Sequence, residues 1–396
     1  MSTKYILAID IGTSGCKLTI FDFRGNVISD YFGQYKTYYY EGNCVEQNAE
    51  DWWKQICKGL NKIKNEGKID FKKIAAVGVD GHSWAALPVD GKGLPLRHAM
   101  IWLDRRATKQ AEYMKELIGE EKLLKTSGNP IDPAYITAKM LWIKENEPDV
   151  YKRTDKFLQS NAYIVHKLTG KFSQDLSQGY GFHYFDIHKG KWNKTIAKDL
   201  GLSLDLMAPL YQSHEFVARV SSNAANKTGL PEGIPVVAGG LDAACCTLGA
   251  GVIEPGQTQE QGGQAGGMSI QIDQPIIHPK LILGYHVIPD QWLLQGGTVG
   301  GGGTLRWFND ELGYYEKVEA VDKGISSYQV MSEEAGGRDP GSNGLIFLPY
   351  MAGERSPVWN SKARGILFGL SYHISKADIL RAMMEGVGYS LRHNLD

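Results

Sequence analysis

A short glycine turn near the start of the chain most restricts what this sequence can fold into. The run Asp10-Ile-Gly-Thr-Ser-Gly-Cys-Lys17 separates an apolar segment at 5–9 from a segment at 17–23 that alternates between apolar and polar residues. A dinucleotide-binding fingerprint or a Walker loop would need a helix to begin directly after the glycines. The sequence therefore predicts a β-hairpin here, in an α/β domain whose sheet opens with antiparallel strands.

A hairpin of this composition can hold a phosphate group. Successive backbone N–H groups point into such a bend, and Thr13, Ser14 and Lys17 add further hydrogen-bond donors. Asp10, at the end of the first strand, is placed to hold Mg²⁺ directly or through water. An ordinary Asp–Gly hairpin without a ligand explains the same residues equally well.

A second glycine turn, Gly239-Gly-Leu-Asp242, follows the buried strand predicted at 234–238. Asp242 lies just past that strand, where α/β proteins tend to place functional groups. Its carboxylate could accept the proton of a substrate hydroxyl that attacks a phosphoryl group. The alternative is an N-cap for a helix over 243–248.

Aromatic, imidazole and carboxylate groups follow two further strand-like segments. Gly81-His82-Ser83-Trp84 comes after the first of them, and Asp104 comes after the second. Such groups suit a sugar or polyol, whose faces stack on rings and whose hydroxyls need paired acceptors. His82 and Trp84 are also explained as core residues, and Asp104 is predicted to cap a helix that runs to about Leu124.

Composition excludes several classes of protein. The 396 residues carry 43 Lys+Arg against 44 Asp+Glu, for a net charge of -1, without the basic excess of a nucleic-acid binder. No apolar run approaches the roughly 18 residues that would span a bilayer. The five cysteines are scattered without zinc-site spacing, which suits a reducing compartment. We therefore expect a soluble cytoplasmic protein that binds neither nucleic acid nor membrane.

The length predicts more than one domain, at roughly 100–200 residues each. Glycines and a proline interrupt the pattern between residues 250 and 256, so we expect an N-terminal domain over 1–252 and a C-terminal domain over 253–396. The last predicted helix begins at a capping box formed by Ser375 and Asp378. No strand follows this helix, so the second domain is expected to be truncated.

Several segments together resemble the FGGY family of carbohydrate kinases. They run in family order across nearly the whole chain. These segments are the phosphate motif Asp10-x-Gly-Thr-Ser-x-x-Lys17, the sugar-site stretch Ile101-Trp-x-Asp104-x-Arg106, the N-terminal signature at Lys139-Met-x-Trp142-Ile-x-Glu-Asn146, the base-bearing segment Gly239-Gly-x-Asp242, and the C-terminal signature at Gly353-Glu-Arg-Ser-Pro, Gly365-x-Leu-x-Gly369-Leu and Asp378 to Glu385.

The resemblance implies a two-domain α/β fold of the sugar-kinase/actin/Hsp70 ATPase (ribonuclease H-like) type. It implies ATP- and Mg²⁺-dependent transfer of the γ-phosphoryl group to a hydroxyl of a sugar or polyol. Asp242 would be the catalytic base and Asp10 the metal-linked carboxylate. The substrate site would contain His82, Trp84, Asp104 and Asp242. The nucleotide site would contain Gly12, Thr13, Ser14, Lys17, Gly263, Gln264 and Gly300.

Three departures from the family pattern affect these expectations. The second phosphate turn reads Gly263-Gln264-Ala265-Gly266 in place of Gly-Thr-Ser-Gly, although the Gln264 amide can still donate a hydrogen bond. His82-Ser83-Trp84 stands where the D-xylulose-specific members usually have Gln-Met-His. The family's adenosine-binding glycine motif would lie beyond residue 396, so we expect a truncated sequence with reduced nucleotide affinity.

The favoured function is a carbohydrate kinase that converts D-xylulose to D-xylulose 5-phosphate, because the motif spacing is closest to that branch of the family. L-ribulose, glycerol or another polyol stays open as the substrate. The alternative is a catalytically impaired relative that binds a sugar or nucleotide as a sensor, although the retained Asp10 and Asp242 speak against it. The expected partners are the sugar or polyol and ATP, and a homodimer is left open.

Overall fold

The computed structural model describes residues 4–41, 43–263, 265–360 and 362–396. Its strands are β1 (Tyr5–Ile11), β2 (Gly15–Asp22), β3 (Val27–Gln34), β4 (Thr37–Tyr40), β5 (Cys44–Gln47), β6 (Ile74–Gly81), β7 (Leu87–Val89), β8 (Ala99–Met100), β9 (Lys156–Leu158), β10 (Gln174–Asp175), β11 (Phe185–Asp186), β12 (Lys191–Trp192), β13 (Leu210–Tyr211), β14 (Phe216–Arg219), β15 (Pro235–Val237), β16 (Gly240–Leu241), β17 (Thr258–Gly262), β18 (Gly266–Ile272), β19 (Ile282–Tyr285), β20 (Trp292–Thr298), β21 (Ile346–Leu348) and β22 (Ile366–Phe368).

The α-helices of the described residues are α1 (Ala49–Asn65), α2 (Thr108–Ile118), α3 (Glu120–Ser127), α4 (Ile136–Asn146), α5 (Pro148–Arg153), α6 (Ser160–Thr169), α7 (Lys194–Asp199), α8 (Ser222–Thr228), α9 (Asp242–Gly249), α10 (Gly302–Glu311), α11 (Tyr314–Lys323), α12 (Ser327–Gly336) and α13 (Lys376–Arg392). None of the helices described is long and apolar enough to cross a bilayer.

The chain divides into two compact units. The first consists of Met1–Glu254, Gln271–Pro279 and Leu283–Leu293. The second consists of Pro255–Ile270, Lys280–Ile282 and Leu294–Asp396.

The first unit is built on a seven-stranded sheet with the strand order β14-β15-β6-β1-β2-β3, in which β16 also pairs with β6. Strand β2 pairs antiparallel with both β1 and β3, and β6 runs parallel to β1, β15 and β16. The predicted α/β sheet that opens with antiparallel hairpins is therefore confirmed. The parallel strands matter for function, because their carboxyl ends lie at one edge of the sheet.

Helix α1 covers one face of this sheet. Its N-cap is Asn48, whose side chain accepts a hydrogen bond from the backbone N–H of Glu50. The buried residues of the helix recur at helical spacing, and Trp52, Ile56 and Leu60 are completely shielded from solvent in the core. This packing fixes the strands whose ends carry the candidate site.

The helix predicted after Asp104 differs from the one observed. Helix α2 begins only at Thr108, its N-cap is Ala107, and the helix stops at Gly119, where φ is 92°. Asp104 is therefore not the cap, and the predicted single helix to about Leu124 is two helices. The reason is that the Asp104 carboxylate is occupied by Arg106, whose Nη2 lies 2.7 Å from Oδ2.

The second unit has its own core. Strands β17 and β18 form an antiparallel hairpin, β21 pairs with β22, and helices α10 to α13 surround a cluster that includes Phe308, Met331, Phe347 and Leu380. Helix α13 begins at the predicted capping box, in which Ser375 and Asp378 each accept a hydrogen bond from the backbone N–H of the other.

Candidate functional site

Three aspartates lie at the carboxyl ends of neighbouring parallel strands in the first unit. Asp10 of β1 pairs in register with Asp80 of β6, and Asp80 pairs in register with Gly240 of β16. Asp242 is the second residue after that glycine. Since residues in register on neighbouring strands point to the same face, Asp10 and Asp80 are side by side. No local pattern in the sequence predicts Asp80 as a site residue.

The Asp10 and Asp80 side chains are hydrogen-bonded to each other. Burial is the main cause that raises the pKa of both carboxyl groups. The charges of Asp10 and Asp242 raise the pKa of Asp80 further, whereas Lys17, opposite Asp10 in the hairpin, lowers the pKa of Asp10. A hydrogen bond between two carboxyl groups requires a proton, so this pair holds one readily in the absence of a cation.

The donor chemistry of this pair fits Mg²⁺. Magnesium binds through one or two carboxylates and completes its coordination with water and substrate phosphates. Within the described ranges, no group of three or more His, Cys, Asp or Glu side chains is arranged to hold a metal ion. The fit is therefore to an ion held by few protein oxygens and several other ligands, which is the usual arrangement for Mg²⁺ on a nucleotide.

The first glycine turn is held in place by side chains from outside the hairpin. The backbone N–H of Gly12 donates to the Gly15 carbonyl at 3.1 Å and closes the turn. Thr13 receives two more bonds, from Gln47 Nε2 to its carbonyl at 2.7 Å and from Trp102 Nε1 to its hydroxyl at 3.0 Å. Ser14 and Lys17 are exposed. This support favours a shaped binding turn over an ordinary hairpin.

Tyr35 also donates its hydroxyl proton to the Gly12 carbonyl. With Gln47, it occupies the carbonyl oxygens of Gly12 and Thr13. The Gly12 N–H closes the turn, so the groups that the turn can offer an anion are the backbone N–H groups that follow Gly12.

Asp242 lies at the start of α9. The helix begins at Asp242 itself, Leu241 is the N-cap, and the Asp242 Oδ1 accepts from the Ala243 N–H at 2.6 Å. The alternative prediction, Asp242 as an N-cap of a helix from 243, is therefore wrong. Burial raises the pKa of the Asp242 carboxyl to about 7, which is where a general base at neutral pH is most effective.

The glycine before this strand is required by the close approach of two backbones. Gly239 has a φ of 75°, and a Cβ there would lie 1.7 Å from the Val79 carbonyl oxygen. Only glycine allows the chain to pass so near β6 in the left-handed region. This contact brings Asp242 to the edge of the sheet that carries Asp10 and Asp80.

A buried network of polar side chains contacts the backbone next to Asp242. The Ser177 hydroxyl accepts from the Leu241 N–H at 2.9 Å and donates to Asp175 Oδ1 at 2.6 Å. Asp175 also accepts from the Asn161 amide at 2.8 Å and the Gln178 N–H at 2.9 Å. No local pattern in the sequence predicts this network, which fixes the residue immediately before the candidate base.

His82 and Trp84 both lie in the interior of the first unit. His82 packs edge-on against Trp52, and burial lowers the pKa of its imidazole to about 4, so the ring is neutral at pH 7. Trp84 stacks on Tyr135 with ring centroids 4.2 Å apart. His82 Nε2 and Trp84 Nε1 have no hydrogen-bond partner among the residues that the structure describes. Buried polar atoms left in this way are expected to meet a ligand or water.

Asp104 is enclosed in an ion-pair network. Its Oδ2 accepts from the Val45 N–H at 2.7 Å and from Arg106 Nη2 at 2.7 Å, and Arg106 also donates to Glu46 at 2.7 Å. The residue is completely buried. The structure thus ties both oxygens of the Asp104 carboxylate to protein partners.

The second unit has a glycine turn of its own. The Gly263 carbonyl accepts from the Gly302 N–H at 2.7 Å, and Gly302 is the first residue of α10. A Cβ on Gly300 would lie 2.1 Å from the Pro349 carbonyl oxygen, and one on Gly301 would lie 2.4 Å from the Ala265 carbonyl carbon. A tight glycine turn at a helix N-terminus is suited to a phosphate group. Gln264 lies outside the described residues.

A buried carboxylate supports this second turn. Glu354 Oε2 accepts from the Thr298 hydroxyl at 2.7 Å, and Oε1 accepts from the Val299 N–H at 2.8 Å. Ser390 of α13 donates to the same Thr298 hydroxyl at 2.8 Å. These bonds fix the segment that leads directly into Gly300.

Two family models match the chain. The N-terminal domain of the FGGY family of carbohydrate kinases matches residues 5–249, and its C-terminal domain matches residues 272–396. The chain belongs to the FGGY family of carbohydrate kinases. The family resemblance predicted from the motifs is therefore confirmed.

Similar proteins are themselves named as sugar kinases. The xylulose kinase of Bacillus subtilis (strain 168) is 30% identical over 99% of this chain and 77% of its own length. The gluconokinase of the same strain is 29% identical over 98% of this chain and 76% of its length. The crystal structure of xylulose kinase from Rhodospirillum rubrum superposes with a TM-score of 0.89 at 25% identity, over 99% of this chain and 78% of that one.

These findings confirm the predicted enzyme class and fold. The chain is an ATP-dependent carbohydrate kinase with the two-domain α/β fold of the FGGY family. ATP is its cosubstrate, and its second substrate belongs to the carbohydrates that this family phosphorylates.

Proposed function

We propose that this FGGY kinase phosphorylates D-xylulose to D-xylulose 5-phosphate. Similarity to several xylulose kinases, including the Bacillus subtilis protein at 30% identity, supports this sugar. D-gluconate is the second candidate, because a gluconokinase is 29% identical over nearly the same span. L-ribulose and glycerol remain further candidates from the sequence.

Asp242 is the proposed catalytic base, and its pKa of about 7 is the observation that carries this assignment. The attacking hydroxyl oxygen forms a bond to the γ-phosphorus, and the bond from that phosphorus to the β–γ bridging oxygen breaks. ADP leaves, and the Asp242 carboxylate takes the hydroxyl proton. A carboxylate with this pKa is largely ionised at slightly alkaline pH and still basic enough to accept the proton.

Two glycine turns are proposed to bind the phosphates of ATP. One is the turn at Gly12, Thr13 and Ser14, with Lys17 beside it, and the other contains Gly263, Gln264 and Gly300. Asp10 and Asp80 would hold Mg²⁺, which when bound neutralises charge on the phosphate oxygens. The hydrogen bond between the Asp10 and Asp80 side chains supports this assignment, because the carboxyl oxygens of the two residues lie together at the same edge of the sheet.

His82, Trp84 and Asp242 are proposed to contact the sugar. His82 Nε2 and Trp84 Nε1, which have no hydrogen-bond partner among the described residues, support this, because the indole N–H can donate to a hydroxyl and the imidazole nitrogen can donate to one or accept from one. The role proposed for Asp104 is different from direct contact. Its carboxylate has protein partners on both oxygens, so we propose that it orders the segment beside the site.

The domain boundary near residue 252, the cytoplasmic location and the homodimer stay predictions from the sequence.

ADP release with Mg-ATP tests the proposal across D-xylulose, L-ribulose, L-xylulose, glycerol and D-gluconate. The Asp242→Ala variant is the blank, and Asp30→Asn, an exposed carboxylate on β3, is the matched control that should keep full activity. Release that depends on D-xylulose and is lost in the blank is expected. Release with D-gluconate alone would replace the substrate, and silence across the panel would favour a sugar or nucleotide sensor.

A further inference from the structure

A lysine on α4 is completely buried in the first unit. Lys139 has no exposed surface, and its ammonium nitrogen donates to the carbonyl of Trp84 at 2.9 Å and to the carbonyl of Ile101 at 2.7 Å. A third carbonyl, that of Met100, lies at 3.5 Å. The hydrogen bonds of this cation therefore go to backbone oxygens of two segments that are far from it in sequence.

A buried cation of this kind is a poor way to stabilise a core. Burial lowers the pKa of the Lys139 ammonium to about 7, which reflects the cost of removing its charge from water. Apolar side chains of similar volume often stabilise a protein more than buried charged groups do. The position of its partners gives Lys139 a more specific role.

The two carbonyls belong to the segments on which the proposed sugar site depends. Trp84 has a φ of 59°, a conformation that a bulky side chain holds only when its surroundings fix it. Gln159 Oε1 accepts from the Trp84 N–H at 3.1 Å, and Lys139 binds the Trp84 carbonyl. The strained residue is thus held on both sides of its Cα.

The second carbonyl connects the same ammonium to the phosphate turn. Ile101 precedes Trp102, whose indole N–H donates to the Thr13 hydroxyl at 3.0 Å. One cation therefore fixes the backbone of the Trp84 segment and of the segment that supports the turn at Thr13.

We propose that Lys139 is a positioning residue of the sugar site, which holds the Trp84 and Trp102 segments in one arrangement through their backbone carbonyls. The inference rests on the proposed function, because it assumes that Trp84 contacts the sugar.

The charged groups around the ammonium compensate each other. Asp104 and Asp132 favour the charged form of Lys139, and Arg105 and Arg106 oppose it. Arg106 pairs with Asp104, and Arg105 pairs with Asp132. Burial therefore decides the protonation of Lys139, which is charged below about pH 7 and increasingly neutral above it.

The test is Lys139→Met, with Lys144→Met as the matched control. Lys144 lies on the same helix and also donates to a backbone carbonyl, that of Gly201 at 2.6 Å, but it is exposed. We expect Lys139→Met to raise the KM for D-xylulose, or for whichever sugar of the panel turns over, by about tenfold. The KM for ATP should rise less, by about threefold or below, because Lys139 reaches the turn at Thr13 only indirectly, through Trp102, and the control should change neither KM.

Equal rises in both KM values, or a fall in kcat with both KM values unchanged, would mean a general structural role and overturn the inference. If Lys139→Met does not fold, the same kinetics are measured for Lys139→Gln, whose shorter and uncharged amide can donate only weakly to the carbonyls of Trp84 and Ile101. The sugar KM should then rise about threefold, because charge-assisted hydrogen bonds are stronger than neutral ones. An unchanged sugar KM in that variant would overturn the inference.

The two proposals fail in different ways. A wild-type protein that turns over no sugar of the panel overturns the proposed function, and the inference about Lys139 with it. Turnover with an unchanged sugar KM in a folded Lys139→Met variant overturns only the inference.

Discussion

The groups that surround the carboxylates of Asp10, Asp80 and Asp242 differ from those around Asp104, although all four of these residues of the first unit end or follow strands. Asp10, Asp80 and Asp242 lie at strand ends with no arginine bound to them among the described residues, and burial raises the pKa of each. Asp104 also follows a strand, but Arg106 and the Val45 N–H occupy its carboxylate. A strand end therefore does not make a carboxylate reactive, because its partners decide whether it remains available to a substrate.

The first expected difference between the two groups is in turnover. Asp242→Asn should lower kcat by about 10³-fold, in the range usual for loss of a general base, and leave sugar affinity nearly unchanged. The raised pKa of Asp242 means that its ionised form destabilises the fold, so the free energy of unfolding at pH 8 should rise in the variant. Steady-state kinetics and urea unfolding measure both effects.

Two outcomes for the Asp242→Asn variant would contradict this prediction. A variant that keeps its kcat would show that Asp242 is not the base, and one that loses stability would show that the residue belongs to the structural group. The Asp30→Asn variant controls for the loss of one negative charge on the same sheet.

The second difference is in stability. Asp104→Asn should lower the free energy of unfolding by about 3 kcal/mol, because removal of one partner leaves the Arg106 guanidinium partly uncompensated in a buried site. The matched control is Glu112→Gln, which breaks the exposed pair with Lys115 and should cost less than about 1 kcal/mol. Urea denaturation that gives equal losses for the two variants would contradict the distinction.

The pH profile of turnover sharpens the comparison further. The pKa of Asp242 is raised to about 7, so its carboxylate is protonated and unable to accept a proton below that pH. We expect kcat/KM to be half-maximal near pH 7 and to fall about tenfold per unit below it. A rate that stays constant down to pH 5 would remove Asp242 from the role of base.

The sequence predicted the parts of this site that local patterns reveal. A glycine turn between two strand-like segments indicated the hairpin with Asp10, and a strand followed by two glycines indicated the position of Asp242. Asp80 was missed because only the register between β1 and β6, which are far apart in sequence, places it beside Asp10. The cap predicted at Asp104 was wrong because a neighbouring arginine competes more strongly than the N–H groups of the next helix.

The contacts of Lys139 are also ones that local sequence patterns do not predict. The family signature contains this residue. Its partners, however, are carbonyls 38 and 55 residues earlier in the chain. A contact of that kind depends on tertiary packing, which local periodicity does not encode.

The smallest expected effect concerns Ser177, which contacts the backbone next to the base and not the base itself. Ser177→Ala removes the acceptor of the Leu241 N–H and a donor to Asp175, so the backbone before Asp242 should become less well fixed. We expect kcat to fall by about tenfold or less, since the base itself is retained.

The matched control is Ser221→Ala. The Ser221 hydroxyl accepts a hydrogen bond from the Ala224 N–H at the start of α8. Loss of that cap should lower stability by about 1 kcal/mol without changing kcat. If both serine variants lose stability and neither loses turnover, the network behind Asp242 supports the fold alone, and the position of the base depends on the Gly239 contact with β6.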